Sequence, residues 1–307
     1  MYSAIDTKEE YNISYIDASG LSTFNRCPAK YLFERLIGLA PIGKTDIAPD
    51  FGTCMHRALP LAYNDLEGAI KEFCDAWSSY DYGSTDEKRN AYRAMMMLRN
   101  FHAERSPAKC PYEILQFPDI VEATQEKISQ YEIPFAIDIG AAVPACGRID
   151  LPIKWKSTEH IFACDYKTTQ EISPRFFKCF ANSAQAILYT IALNRLTGKN
   201  VKGMVIEAIR VSKTNTETQA GFLFINNVQI EWFLDYARNA VESMLYYNKE
   251  KCWPKNLCAC SGYSMYGHPT STCEFMNICT NTNWEATSRM FEKREVFHPF
   301  NIEEIIE

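Results

Sequence analysis

Residues 160–169 read His160-Ile161-Phe162-Ala163-Cys164-Asp165-Tyr166-Lys167-Thr168-Thr169. The apolar run from Ile161 to Cys164 leads into a carboxylate, an aromatic ring and an ammonium group, as in a buried strand with a polar end. Side chains alternate across a strand, so Asp165 and Lys167 share one face and Tyr166 points to the other. Opposite charges at the end of a buried strand are costly unless they are paired or put to use. An ordinary strand-end ion pair accounts for Asp-x-Lys taken alone. The segment upstream changes that balance.

Gly147-Arg148-Ile149-Asp150 ends 15 residues before Asp165. A hairpin between the two segments brings Asp150 and Asp165 to neighbouring positions. Two carboxylates converging on one point repel unless a divalent cation lies between them, and oxygen ligands of this kind suit Mg²⁺ or Mn²⁺. Lys167 is then placed to orient or help deprotonate a water nucleophile and to stabilise charge on a phosphate. Glu126, on the preceding strand-like segment, is a candidate to orient Lys167 or to reach a second metal.

Further out, Ser19 to Leu39 reads as a short helix interrupted by Pro28, then a second helix carrying Tyr31, Phe33 and Leu36. Residues 52–77 and 86–104 have amphipathic helical patterns with a loop between them. From about residue 112 the period changes, and 114–130, 132–140, 147–155 and 160–169 read as short strands, antiparallel at first. Ser173 to Gly198 is mostly helical, with Asn182 and Ser183 placed to divide it. Two more strands, 201–211 and 221–227, precede an amphipathic helix over 227–250. Helices, then strands, a helix and strands again indicate a mixed α/β (α+β) domain.

The chain has 307 residues, 47% apolar and 23% charged, which supports a real core and excludes disorder as a global description. A net charge of −6 argues against coating nucleic acid by charge alone and leaves room for a local basic groove. The N-terminal sequence lacks a basic start followed by an apolar stretch, and no run approaches the roughly 18–20 apolar residues of a membrane span. The expectation is a cytoplasmic protein, or one of phage-infected host cytoplasm, with no membrane partner. In such a compartment the twelve cysteines read as thiols or metal ligands rather than disulfides. Seven are scattered small hydrophobes, and five (Cys252, Cys258, Cys260, Cys273, Cys279) crowd the tail. Cys258-x-Cys260 followed by Cys273-x₅-Cys279 fits paired zinc ligands poorly. An iron–sulfur cluster needs four thiolates, which need not be adjacent in sequence.

The order G-x-x-x-H (Gly52 to His56), G-R-I-D (Gly147 to Asp150), D-Y-K-T (Asp165 to Thr168) and Q-x-x-x-Y (Gln185 to Tyr189) resembles the RecB-like branch of the PD-(D/E)xK nucleases over roughly Ser19 to Cys279. The resemblance implies a restriction-endonuclease-like core, with a mixed central sheet flanked by helices, and a metal-dependent deoxyribonuclease. It makes His56, Asp150 and Asp165 metal ligands, with the Tyr166 backbone carbonyl as another, and Lys167 the catalytic lysine. Gln185 and Tyr189, four apart on one helix face, become contacts to DNA phosphate or orienters of the site. Cys27, in Phe24-Asn25-Arg26-Cys27-Pro28, resembles the F-x-x-C-P segment of four-cysteine members: AddB-type recombination subunits and CRISPR-associated exonucleases. That resemblance implies a 4Fe–4S cluster on Cys27, Cys260, Cys273 and Cys279, with Cys258 or Cys252 as alternatives to Cys260. Ligation would close a loop of more than two hundred residues and hold the fold together.

The expected organisation is a nuclease core over 1–250, with a helical insertion at about 57–110, and a Cys-rich region over 251–307 joined to Cys27. The expected activity is exonucleolytic hydrolysis at DNA ends, of single-stranded DNA first, in replication, recombination, repair or phage DNA processing. A homo-oligomer or a recombination or replication partner is compatible with it. Arg26, Lys30, Arg35, Arg175, Lys178, Lys199, Lys202, Arg210 and Lys213, with Tyr31, Phe33, Phe176, Phe177 and Phe180 among them, are candidates to line the DNA path. Two other readings stand beside this one: an inactive DNA-binding or scaffolding subunit, and a zinc-ribbon DNA-binding protein whose D-x-K is accidental.

Overall fold

The computed structural model of the chain describes residues 10–43, 47–80, 82, 86–115, 131–260, 272–281, 287 and 289–295. Helix α1 (Ala18–Arg26) is capped by Asp17, whose carboxylate accepts from Gly20 N–H. Pro28 has no N–H to lose and opens a new helix, α2 (Pro28–Tyr31), which runs on through a π-turn at Leu32–Leu36 to β1 (Leu39–Pro41). Helix α3 (Ile47–Ala58) begins well before Gly52. The single helix expected over 52–77 is broken after α3, where Pro60 precedes a 3₁₀ turn at Leu61–Tyr63 and Asp65 caps a new helix, α4 (Leu66–Trp77). Asn90 caps α5 (Ala91–Arg105). Strands β2 (Tyr112–Ile114), β3 (Ile133–Ile137), β4 (Ala145–Ile149), β5 (Leu151–Trp155) and β6 (Ile161–Thr169) follow. The expected helical stretch divides at Asn182 and Ser183 into α6 (Pro174–Lys178) and α7 (Ala184–Thr197), which ends on Gly198 in the left-handed region. Strands β7 (Val201–Arg210) and β8 (Thr218–Phe224), helix α8 (Asn227–Lys249), a 3₁₀ turn at Leu257–Cys260, helix α9 (Met276–Thr280) and strand β9 (Phe291–Lys293) complete the described chain.

Five strands form the central sheet in the order β2-β5-β6-β7-β8. Only the β6–β7 pair in it is parallel, so the sheet is mixed, and helices cover both its faces. This is the restriction-endonuclease-like arrangement expected from the sequence. The stretch 147–155, read as one strand, divides at Asp150: β4 pairs with β3 in a separate two-stranded sheet, while β5 joins the central sheet beside β6. Asp150 therefore sits at the point where the chain leaves one sheet for another. Alternate residues of β6 serve two cores. Phe162, Cys164 and Tyr166 pack with α3, α4 and α5, and Ala163 packs with α1, α7 and α8.

The tail returns to the N-terminal helices. Ala29 N–H donates to Pro254 C=O at 3.0 Å, the Asn256 amide donates to Arg26 C=O at 2.8 Å, and Lys30 meets Glu274 at 2.8 Å. Tyr31 lies against Trp253, Phe33 against Phe275, and β1 pairs with β9. Among the described residues no helix is long and apolar enough to cross a membrane.

Gly203 shows how tightly β7 and β8 approach. Its φ is +146°, and a Cβ there would lie 1.9 Å from the Leu223 carbonyl oxygen, a rigid backbone atom. Gly203→Ala is expected to cost about 3 kcal/mol or more, read as a fall in the midpoint of thermal or urea unfolding. An unchanged midpoint would contradict this packing.

Candidate active site

The hairpin β5–β6 pairs Leu151 with Cys164, and the same register carried one step further sets Asp150 opposite Asp165 at the polar end of the sheet. Both are buried, at 6% and 1% exposure. The Tyr166 N–H donates to Asp150 Oδ2 at 3.1 Å, and His56 Nδ1 of α3 lies 3.2 Å from the same oxygen. Gln185, in the first turn of α7, donates its amide to Asp165 Oδ1 at 2.8 Å. Lys167 Nζ reaches Asp165 Oδ2 at 2.5 Å as an ion pair. Tyr166 points to the opposite face, as strand alternation requires.

A residue the sequence reading missed completes the group. Glu132 immediately precedes β3, and the pairing of Ile133 with Ile149 sets it opposite Asp150, whose carbonyl accepts the Glu132 N–H at 3.1 Å. Ligand atoms of His56, Glu132 and Asp150 all lie within 4.8 Å of one another. Glu132 has φ +56°, a left-handed conformation that a non-glycine residue adopts only when its surroundings hold it there. The available signal was the acidic residue at the mouth of the Ile133–Ile137 strand, legible only once that strand's partner was known. Glu126, the acid chosen from the sequence, lies outside the described residues.

The electrostatics are those of crowded negative charge. Burial, then the Asp150 charge, pushes the Asp165 carboxyl from 3.8 up to about 6, against the pull of Lys167 and His56. Burial and Asp150 likewise raise Glu132. Burial alone would lower the His56 imidazole, but its contact with Asp150 and the charge of Asp165 carry it above its ordinary value. Tyr189, one turn after Gln185, is raised by burial and then by both aspartates. It meets Phe135 edge to face at 5.6 Å, over Gly147. A Cβ on Gly147 would lie 2.6 Å from the Phe135 ring and 3.2 Å from that of Tyr189, which explains the glycine of the G-R-I-D segment. Two or three carboxylates with one imidazole, their ligand atoms drawn into one corner, match the donor chemistry of a small divalent cation.

The four chosen cysteines lie near enough to influence one another's thiols. Cys260 is raised by burial and then by Cys273 and Cys27. Cys279 is raised to about 11 by burial and by Cys27, Cys260 and Cys273, with Lys255 opposing. The Asn256 N–H donates to Cys27 Sγ at 3.4 Å. Of the nine basic residues expected to line the DNA path, Lys30, Arg35, Arg210 and Lys213 pair with Glu274, Asp17, Glu217 and Glu87. Tyr31 and Phe33, proposed as stacking groups, are instead core residues, because α2 and the π-turn after it face the tail. Arg175 and Lys178 are exposed on α6, between the end of β6 and the helix that carries Gln185.

Residues 16–280 match the family model of the PD-(D/E)XK nuclease superfamily. The fold is similar to that of a provisionally named exonuclease from Eubacterium rectale, known from a crystal structure. The TM-score is 0.52 at 12% identity, over 87% of this chain and 93% of that one. No curated protein matches the chain.

The crowding has a measurable cost. The folded protein holds the Asp165 proton more tightly than the unfolded chain does, so this group's contribution to stability declines as pH rises from 3.8 through about 6. In EDTA-treated protein near neutral pH, Asp165→Asn keeps the oxygen that accepts from Gln185 and removes the repulsion. It is expected to raise the thermal midpoint by roughly 2–4 °C. A lower midpoint would mean that the attraction of Lys167 outweighs the repulsion of Asp150.

Proposed function

The chain belongs to the PD-(D/E)XK nuclease superfamily and is a hydrolytic nuclease, and on that premise we propose that it is a metal-dependent exonuclease of the RecB-like, four-cysteine kind, trimming DNA ends and favouring single strands. The observation that carries the reading is the convergence of His56, Glu132, Asp150, Asp165 and Lys167 at the polar end of β6. His56, Asp150 and Asp165, with Glu132 and the Tyr166 carbonyl, would hold Mg²⁺ or Mn²⁺. When bound, the ion supplies positive charge at the scissile phosphate and makes a water more acidic. Lys167, a quarter exposed while its partner Asp165 is buried, presents its ammonium from the protein toward solvent. There it positions the attacking water and neutralises charge gathering on the phosphate. Gln185 fixes the rotation of the Asp165 carboxylate, and Tyr189 closes the apolar wall behind it. Arg175 and Lys178, exposed on the helix just after β6, are candidates to meet a backbone phosphate.

The proposed second cofactor is a 4Fe–4S cluster on Cys27, Cys260, Cys273 and Cys279. Their mutual influence and the N–H···S bond from Asn256 to Cys27 support this set. Its role is structural. It would tie α1 and α2 to the tail across a loop of more than two hundred residues, reinforcing a seam already packed with aromatic rings.

Lys167→Ala and Asp165→Ala are each expected to reduce release of nucleotides from end-labelled linear DNA by about 100-fold or more in Mn²⁺, with the protein still folded. Covalently closed circles should resist the wild type. Wild-type-like trimming by either variant, or rapid cutting of circles, would refute the assignment. Cys27→Ser is expected to abolish visible absorbance of anaerobically purified protein and to lower its thermal midpoint, while Cys258→Ser retains both. A colourless, zinc-loaded wild type would refute the cluster.

A further inference from the structure

Behind Asp165 and Lys167, on the other face of the sheet, buried tyrosines form a hydrogen-bonded file. Tyr166 Oη donates to Tyr63 Oη at 3.2 Å, the hydroxyls of Tyr63 and Tyr112 lie 2.5 Å apart, and beyond Tyr112 stands the carboxylate of Glu207, near enough to act on its phenol. Glu207 is fully buried on β7, where it is the register partner of Tyr166. It accepts from Arg105 Nε and Nη2 at 3.0 and 3.1 Å. Tyr166 donates to Tyr63, Tyr63 and Tyr112 share the next hydrogen, and the carboxylate next in line can only accept, so the hydroxyls run in one connected file toward Glu207. Burial raises all three phenols well above their ordinary range, so each keeps the one proton its bond requires.

Rings of this size fill a core equally well without hydroxyls, and a buried polar network is tolerated only when every member is satisfied. The file joins two structures that must agree. One end is the Arg105–Glu207 pair, which fixes α5 to β7. At the other end, the Tyr166 ring meets the His56 imidazole edge to face at 5.9 Å, and the backbone N–H of Tyr166 holds Asp150. Phe101 of α5 presses on Tyr63 and Tyr166, with centroids 5.1 and 6.1 Å away. Swinging the Tyr166 side chain about its Cα–Cβ bond would break its bond to Tyr63 and withdraw its ring from His56 together.

We propose that Tyr63, Tyr112 and Tyr166 are positioning residues: their hydroxyl file, anchored on Arg105–Glu207, sets the Tyr166 ring and through it the His56 imidazole. The consequence for cleavage rests on the nuclease reading; the geometry does not. Tyr63→Phe removes one hydroxyl and leaves the ring. The chain has five histidines, so NMR of metal-free protein resolves them, and His56→Gln identifies the His56 signal by its loss. In Tyr63→Phe the His56 signal is expected to shift while the others stay. Mn²⁺ affinity and kcat should each fall about 10-fold with KM for DNA retained. An unmoved His56 signal, accompanied only by a lower thermal midpoint, would overturn the proposal by making the file purely structural. Should Tyr63→Phe not fold, Tyr112→Phe breaks the file one step further from His56 and is judged by the same signal. Because the NMR readout needs neither metal nor DNA, it decides the file even if the wild type cuts nothing, a result that would count against the nuclease reading alone.

Discussion

The departure of the chain from one sheet to another at Asp150 is the constraint on which the site depends. A continuous strand would have kept Asp150 in an ordinary ladder position. The division between β4 and β5 lets one residue face Glu132 across the small sheet and Asp165 across the large one. Three carboxylates are thereby drawn together in a nearly dry corner, a poor choice for stability alone. The surroundings offset part of it: His56 against Asp150, Lys167 and Gln185 against Asp165, and a backbone N–H against Asp150. What is left uncompensated, seen in the raised Asp165 and Glu132 carboxyls, is the site's appetite for positive charge.

The rest of the fold keeps that corner rigid. On one side of the sheet, the tyrosine file and the Arg105–Glu207 pair fix the helices around α5 to β6 and β7. On the other, α7 brings Gln185 and Tyr189 against Asp165 and Gly147, and packs on α8 and α1. The N-terminal helices in turn lean on the tail through aromatic contacts and backbone hydrogen bonds. Cys27 lies in this seam, next to the residues that close it.

Much of the candidate site was legible because it lies in short segments whose periodicity is plain. Strand alternation placed Asp165 and Lys167 on one face and Tyr166 on the other, and hairpin spacing placed Asp150 beside Asp165. Helical spacing joined Gln185 to Tyr189. Glu132 was not legible, because its place depends on β3 pairing with β4 across an intervening loop. The basic lining was overestimated for a related reason. A lysine or arginine reads as available until its carboxylate is located, and Glu274, Asp17, Glu217 and Glu87 supply those partners mostly from distant parts of the chain.

By itself, then, the sequence determined a mixed α/β chain, the acidic and basic pair on β6 and the order of motifs that carries the family resemblance. These follow from local periodicity and from residue types whose chemistry does not depend on context. The tertiary structure alone decided that Asp150 is a hinge between sheets, that Glu132 joins the site, that Pro60 divides a helix and that Tyr31 and Phe33 are core. Each of those depends on which distant segment packs against it, and contacts between distant segments form only when the whole chain buries its apolar surface at once.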